Sequence, residues 1–401
     1  MRCFRCKIWA TLLMLGLGLS GSVNADPSQK TKPPRSNRPE KSELREPEVK
    51  RPLDLSNPMP LVEVMINGTG PFVMVIDTSE TTTTLDDNVV KTLGLTLPTP
   101  DDASKAADEN TSAEPTVRLI SVAIGEAFFF GVNARVIDVE KATGEERLYD
   151  GILGLPIFAD VLLTLDYPKE TVVITKGALP ESDGKTILDY TEKDGLATLP
   201  LTIDEAKTKL ALASGYGGAL SLERSLRPSV KMAPLAYDER PRSRPTDEEL
   251  SEETHIMGTV ELGKYVLFQP TARFLGPGWG PVHLMGHRVL SNFAVTFDQK
   301  NRRVQLQRKD AGPVTFGDAR PKFGIVFSHF GRYLKVREVF PDTPGSRSPI
   351  RVGDKIEWID GRRPNQFAPG ELSAFIEEAQ IVTYSINRGG ATLHVTLRPW
   401  D

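Results

Sequence analysis

The sequence predicts a mainly β protein made of two similar lobes and a smaller C-terminal module. Three observations carry that prediction: a set of segments recurs in the same order, short alternating apolar runs end in turn signals, and the composition shifts after Gln307-Arg308-Lys309-Asp310. The repeat comes first, because it decides how every motif inside it is read. Val122-Ala123-Ile124-Gly125 through Ala134-Arg135-Val136 aligns without a gap on Val260-Glu261-Leu262-Gly263 through Ala272-Arg273-Phe274. Ile152-Leu153-Gly154 through Leu163-Thr164-Leu165-Asp166 aligns in the same way on Leu284-Met285-Gly286 through Val295-Thr296-Phe297-Asp298. Two copies in one order imply two β lobes with a cleft between them, over residues 53–195 and 196–310, followed by a separate unit over 313–401.

At the N-terminus, Arg2, Arg5 and Lys7 precede an apolar run from Ile8 to Leu19, then Val23-Asn24-Ala25. This is the pattern of a secretory signal peptide over residues 1–25, and the run is shorter than the roughly 20 apolar residues that span a bilayer. The expected product is exported, periplasmic or secreted, with no membrane span left after cleavage. Both cysteines, Cys3 and Cys6, fall in the removed segment, so the mature chain is expected to lack disulfides and thiolate metal sites. Residues 26–52 are rich in Pro, Lys, Glu and Ser and read as a flexible tether. A net charge of -4 gives no support to nucleic-acid binding.

Folded sequence is expected to begin with the alternating strand Met59 to Ile66, turn at Asn67-Gly68 and return through Phe72 to Ile76. That return strand ends in Val75-Ile76-Asp77-Thr78-Ser79, and its counterpart in the second copy is Ala211-Leu212-Ala213-Ser214-Gly215. Polar stretches at 98–114 and 227–253 occupy corresponding places between the repeated strands.

These residues, taken with Asp150-Gly151-Ile152-Leu153-Gly154, resemble the retropepsin-like aspartyl proteases over about Leu53 to Arg308. The resemblance implies that one such loop from each lobe meets at a dyad axis. It makes Asp77 the catalytic carboxylate and matches Thr78 and Ser214 to the hydroxyls that bond across the interface. It further makes Ile152-Leu153-Gly154 and Leu284-Met285-Gly286 the braces behind the loops. Peptide hydrolysis on this scaffold uses two carboxylates that share a proton, one as base and one as acid. Ala213 stands where the second is needed, Ser79 replaces a glycine that allows tight backbone packing, and Glu80 adds a charge beside the site. Without a like-charged neighbour, Asp77 should titrate as an ordinary acid unless burial raises its pKa.

The C-terminal unit resembles a PDZ domain through Lys322-Phe323-Gly324-Ile325, Arg351-Val352-Gly353-Asp354-Lys355-Ile356 and Ile359-Asp360-Gly361. The resemblance implies that backbone amides around Phe323-Gly324-Ile325 receive a terminal carboxylate, with Arg320 and Lys322 beside them. A helix over 369–379 would present Leu372, Phe375 and Ile376 as the other groove wall. A packing role for this unit, without a ligand, stays open.

No metal or cofactor pattern stands out. His283 and His287 flank a strand and turn, Gly215-Tyr216-Gly217-Gly218 lacks the lysine of a phosphate loop, and no serine or cysteine nucleophile motif is present. The glycosylation patterns at Asn67 and Asn110 are explained by a turn and a polar loop. Two functional readings lead, with a purely structural envelope scaffold, which needs neither groove to bind, as a third. One is a degenerate protease that binds extended peptides or protein termini without cleaving them; the other is an endopeptidase that pairs Asp77 with Asp77 of a second chain.

Overall fold

The computed structural model describes residues 37–97, 115–143, 147–232, 254–275, 283–310, 312–316, 322–330, 332–340, 343–367 and 371–399. The signal-peptide segment, Arg320, Pro369, Asn110 and most of the two polar stretches lie outside the described residues. Among the described residues, no helix is long and apolar enough to cross a membrane.

The expected tether is not a tether along its whole length. Its last part forms two strands, β1 (Lys41–Leu44) and β2 (Glu48–Pro52), paired antiparallel with the lobe strands described below. Leu44 and Val49 are the anchors, both buried in the main core. The charged residues around them face outward, Arg45 lies over the Phe128 ring and Lys41 over the Phe130 ring, and Arg118 forms an ion pair with Glu40 at 2.5 Å. Edge strands need only one buried side, so a polar composition does not prevent pairing.

Lobe 1 contains β3 (Leu61–Ile66), β4 (Thr69–Asp77), β5 (Thr83–Asp86), β6 (Thr116–Ile124), β7 (Ala127–Ile137) and β8 (Gly151–Gly154). Its seven-stranded sheet runs β1-β7-β5-β8-β4-β3-β6, and because β6 also pairs with β7 the sheet closes as a barrel. The β3–β4 turn forms as the sequence dictates: Asn67 and Gly68 both take positive φ, 51° and 79°, and Asn67 Oδ1 accepts from the amides of Ile120 and Ser121. The chain then leaves the barrel through β9 (Leu162–Asp166), β10 (Thr171–Thr175) and β11 (Ile187–Asp189).

Lobe 2 follows with β12 (Thr191–Lys193), β13 (Leu196–Ile203), β14 (Ala206–Ala213), β15 (Leu220–Glu223), β16 (Thr254–His255), β17 (Thr259–Leu262), β18 (Tyr265–Phe268), β19 (Thr271–Leu275) and β20 (Leu284–Gly286). The expected boundary at residue 195 falls late, since β12 already pairs with β13, and β11 pairs with β22 (Arg303–Gln307) at the end of lobe 2. A six-stranded sheet in the order β11-β22-β21-β9-β10-β2 joins the lobes, with β21 spanning Ala294–Asp298. At its centre β9 and β21 run antiparallel, and the Thr164 and Thr296 hydroxyls meet at 2.8 Å. One apolar core, from Leu44 to Val314, runs through both lobes.

After β23 (Val314–Thr315), which adds to β18, comes a separate five-stranded sheet. Its strands are β24 (Ile325–His329), β25 (Leu334–Val339), β26 (Lys355–Ile359), β27 (Val382–Arg388) and β28 (Ala391–Leu397), in chain order across the sheet. A helix, Glu371–Glu378, packs Leu372, Phe375 and Ile376 on this unit's own core, where Phe323 and Ile325 are also buried.

Candidate functional site

The two loops named from the sequence sit at equivalent ends of equivalent strands. Asp77 ends β4 and lies in register with Gly154 at the end of β8; Ala213 ends β14 and lies in register with Gly286 at the end of β20. Both pairings are parallel, so the braces Ile152-Leu153-Gly154 and Leu284-Met285-Gly286 run directly behind the loops. Glycine is required at the end of each brace. A Cβ on Gly154 would fall 2.8 Å from the Glu80 carbonyl oxygen, and one on Gly286 would collide with the carbonyls of Tyr216 and Gly218.

Thr78 and Ser214 lock the loops together across the lobes. The Thr78 amide donates to Ser214 Oγ at 2.9 Å and the Ser214 amide donates to Thr78 Oγ1 at 3.1 Å. The hydroxyls continue the exchange, Thr78 Oγ1 donating to the Leu212 carbonyl and Ser214 Oγ to the Ile76 carbonyl, both at 2.7 Å. All of these groups are buried, where an unmade hydrogen bond is costly, so the lattice holds the two loops in one geometry.

Asp77 is buried within it. Its Oδ1 accepts from the Ser79 amide at 2.8 Å and from Ser79 Oγ at 2.7 Å. The expectation that Ser79 disturbs the packing is therefore replaced by a different role: the serine hydroxyl turns inward and becomes a ligand of the carboxyl. The close approach is made instead at Gly215, where a Cβ would collide with Asp77 Oδ2. Burial pushes the Asp77 pKa above the ordinary carboxyl value, against the hydrogen bonds from Ser79 and Gly215, which pull it down. The Glu80 carboxylate approaches Arg135 at 4.0 Å, both side chains largely buried. Opposite, the Ala213 methyl is fully buried in a small cluster with Ala211 and Leu284, against which Leu196 and Tyr216 pack. Among the described residues, Asp77 is the carboxyl that this lattice encloses, and the position equivalent to it in lobe 2 carries a methyl.

Two further residues bear on this carboxyl and were not singled out from the sequence, and a third, His287, weighed there only as a metal ligand, packs against one of them. The phenols of Tyr149 and Tyr167 are pushed up, first by burial and then by the charge of Asp77. Tyr167 meets the ring of His287 edge-on, with centroids 5.3 Å apart. Tyr167 OH and His287 Nδ1 are both buried and without a hydrogen-bond partner among the described residues, and burial lowers the His287 pKa to about 4. The signal for His287 was its place directly after the second brace, where the first copy has Leu155. His283 does separate work, its Nε2 lying 3.5 Å from Glu223 Oε2.

In the C-terminal unit, Phe323 and Ile325 are buried in the core, and Gly324 between them is buried as well. Gly324 takes a φ of +72° and its carbonyl accepts from the Phe340 amide. β24 is the edge of its sheet, with no strand on its outer side among the described residues.

Residues 62–157 match the family model described as aspartyl protease, a stretch that runs from β3 to just beyond the first brace and contains Asp77. Among solved structures, a retropepsin-like aspartic protease from Rickettsia conorii is 16% identical, covers 33% of this chain and 93% of its own, and has a TM-score of 0.24. No curated protein matches. The fold is mainly β, and lobe 1 is aspartyl-protease-like.

Proposed function

We propose that the protein is an exported, degenerate aspartyl protease that binds extended peptides in the groove between its lobes without cleaving them. The observation that carries this reading is the fully buried Ala213 methyl at the position equivalent to Asp77, inside a hydrogen-bond lattice that is otherwise complete. The scaffold that would hold a dyad is kept and the second carboxylate is absent. A β-lined groove can still hold a peptide by main-chain hydrogen bonds, with alternate side chains in pockets. The C-terminal unit fits a PDZ-like role in the same activity: the edge strand β24 would take a peptide terminus, with Lys322 beside the Phe323-Gly324-Ile325 amides.

An endopeptidase formed from two chains would need Thr78 to leave Leu212 and Ser214 of its own chain. Lobe 2 is held to lobe 1 by a continuous sheet and competes at high effective concentration. Incubation with a diverse peptide pool from about pH 3 to about pH 7, followed by mass spectrometry of wild type and Asp77→Asn, tests the reading. Peptides retained intact by both proteins are expected. Cleavage by wild type alone would overturn it.

A further inference from the structure

The pseudo-symmetry of the lobes exposes one difference that the missing aspartate does not cover. In lobe 1, Thr84 on β5 lies in register with Arg135 on β7, and Arg135 Nη2 donates to Thr84 Oγ1 at 3.4 Å while approaching Glu80. In lobe 2 the equivalent pair is Ser221 on β15 and Arg273 on β19. Glu80 is replaced there by Tyr216, so the acid that Arg135 approaches has no counterpart at that position in lobe 2. Among the described residues the Arg273 side chain has no ion pair or hydrogen bond, and Nε is buried. Ser221 Oγ is likewise buried and unpartnered, in a residue only 1% exposed.

Both side chains leave the same face of the sheet, since register partners do so. Ser221 also pairs with Leu284, which pairs with Ala211, two residues before Ala213. The face that carries Arg273 is therefore the face of the lost aspartate, while Ala272 and Phe274 point to the core. Arg288 Nη1 donates to Thr271 Oγ1 at 3.2 Å on this face, and the nearest acid in the strand pair, Glu223, is turned to His283. A guanidinium fork beside a hydroxyl donor is complementary to a carboxylate.

We propose that Arg273 and Ser221 form a carboxylate-binding site in lobe 2 that selects peptides carrying an acidic side chain or a free C-terminus. This deepens, and rests on, the peptide-binding reading of the groove. The test uses the full chain after residue 25. In one arm the Arg273 Nε–H resonance is followed during titration with glutarate, with phosphate, and with chloride at equal ionic strength. Saturation by glutarate alone is expected; a response no greater than that to chloride, or saturation by phosphate only, overturns the site. In the other arm, fluorescent octapeptide pools with a single Glu or Gln, each with free or amidated C-termini, are measured by polarisation. A preference of about tenfold for one acidic source is expected, lost in Arg273→Gln, reduced in Ser221→Ala and partly kept in Arg273→Lys. A preference unchanged in Arg273→Gln, or pools bound without regard to charge, sinks the site and leaves peptide binding standing. Glutarate saturation with no pool bound sinks the peptide reading and leaves the site.

Discussion

Asp77 accepts hydrogen bonds from the Ser79 amide, the Ser79 hydroxyl and the Gly215 amide, yet burial still raises its pKa. For an acid whose folded pKa is raised, the unfolded chain ionises first as pH increases, so the folded state loses stability from the ordinary carboxyl value upward. The melting temperature of Asp77→Asn minus that of wild type should therefore increase between about pH 3 and about pH 7, whatever the offset at either end. A flat difference would mean that Asp77 titrates alike folded and unfolded. His287 gives the opposite slope. Its folded pKa is lowered to about 4 from 6.5, so its contribution is complete above 6.5 and lost as pH falls toward 4. His287→Leu, which copies Leu155 of the first repeat, should gain more stability over wild type at about pH 4.5 than at about pH 8 in parallel thermal melts. The sequence shows which acid remains and which is missing. It does not show that Ser79 would turn its hydroxyl onto Asp77, because that depends on loop geometry rather than residue type.

At the scale of elements, the repeated strands were legible because both copies spell the same pattern, and the two segments that the resemblance names as braces form strands paired in register with β4 and β14. The N-terminal strands were not, for a physical reason. β1 and β2 carry Lys41, Glu43, Glu48, Lys50 and Arg51, and each has a single fully committed apolar residue, Leu44 or Val49. Composition alone reads such a segment as solvated, whereas an edge strand needs only backbone partners and one buried contact. Val49 is 1% exposed, so Val49→Asp should destabilise the lobes by about 3 kcal/mol through a buried unpaired charge. Lys50→Asp, on the outward side of the same strand, should leave the urea midpoint nearly unchanged. Equal effects from the two variants would return β2 to the status of a tether.

Over the whole molecule, the lobes share a core and a central sheet, while the C-terminal sheet has a core of its own. Cooperativity follows shared burial, so the two lobes should melt as one unit and the C-terminal unit as another. Calorimetry of the full chain is expected to show two transitions. Ile359, fully buried in the C-terminal core, and Val295, fully buried in β21, provide independent handles. Ile359→Asp should lower or remove one transition and leave the other in place; Val295→Asp, set in the sheet that joins the lobes, should do the reverse and should not split the lobe transition into two. A single transition displaced by both variants would show that the C-terminal unit is welded to the lobes. A lobe transition that divides under Val295→Asp would show that the lobes can fold separately, and that the Thr78–Ser214 lattice is an interface closed after folding rather than part of the folding unit.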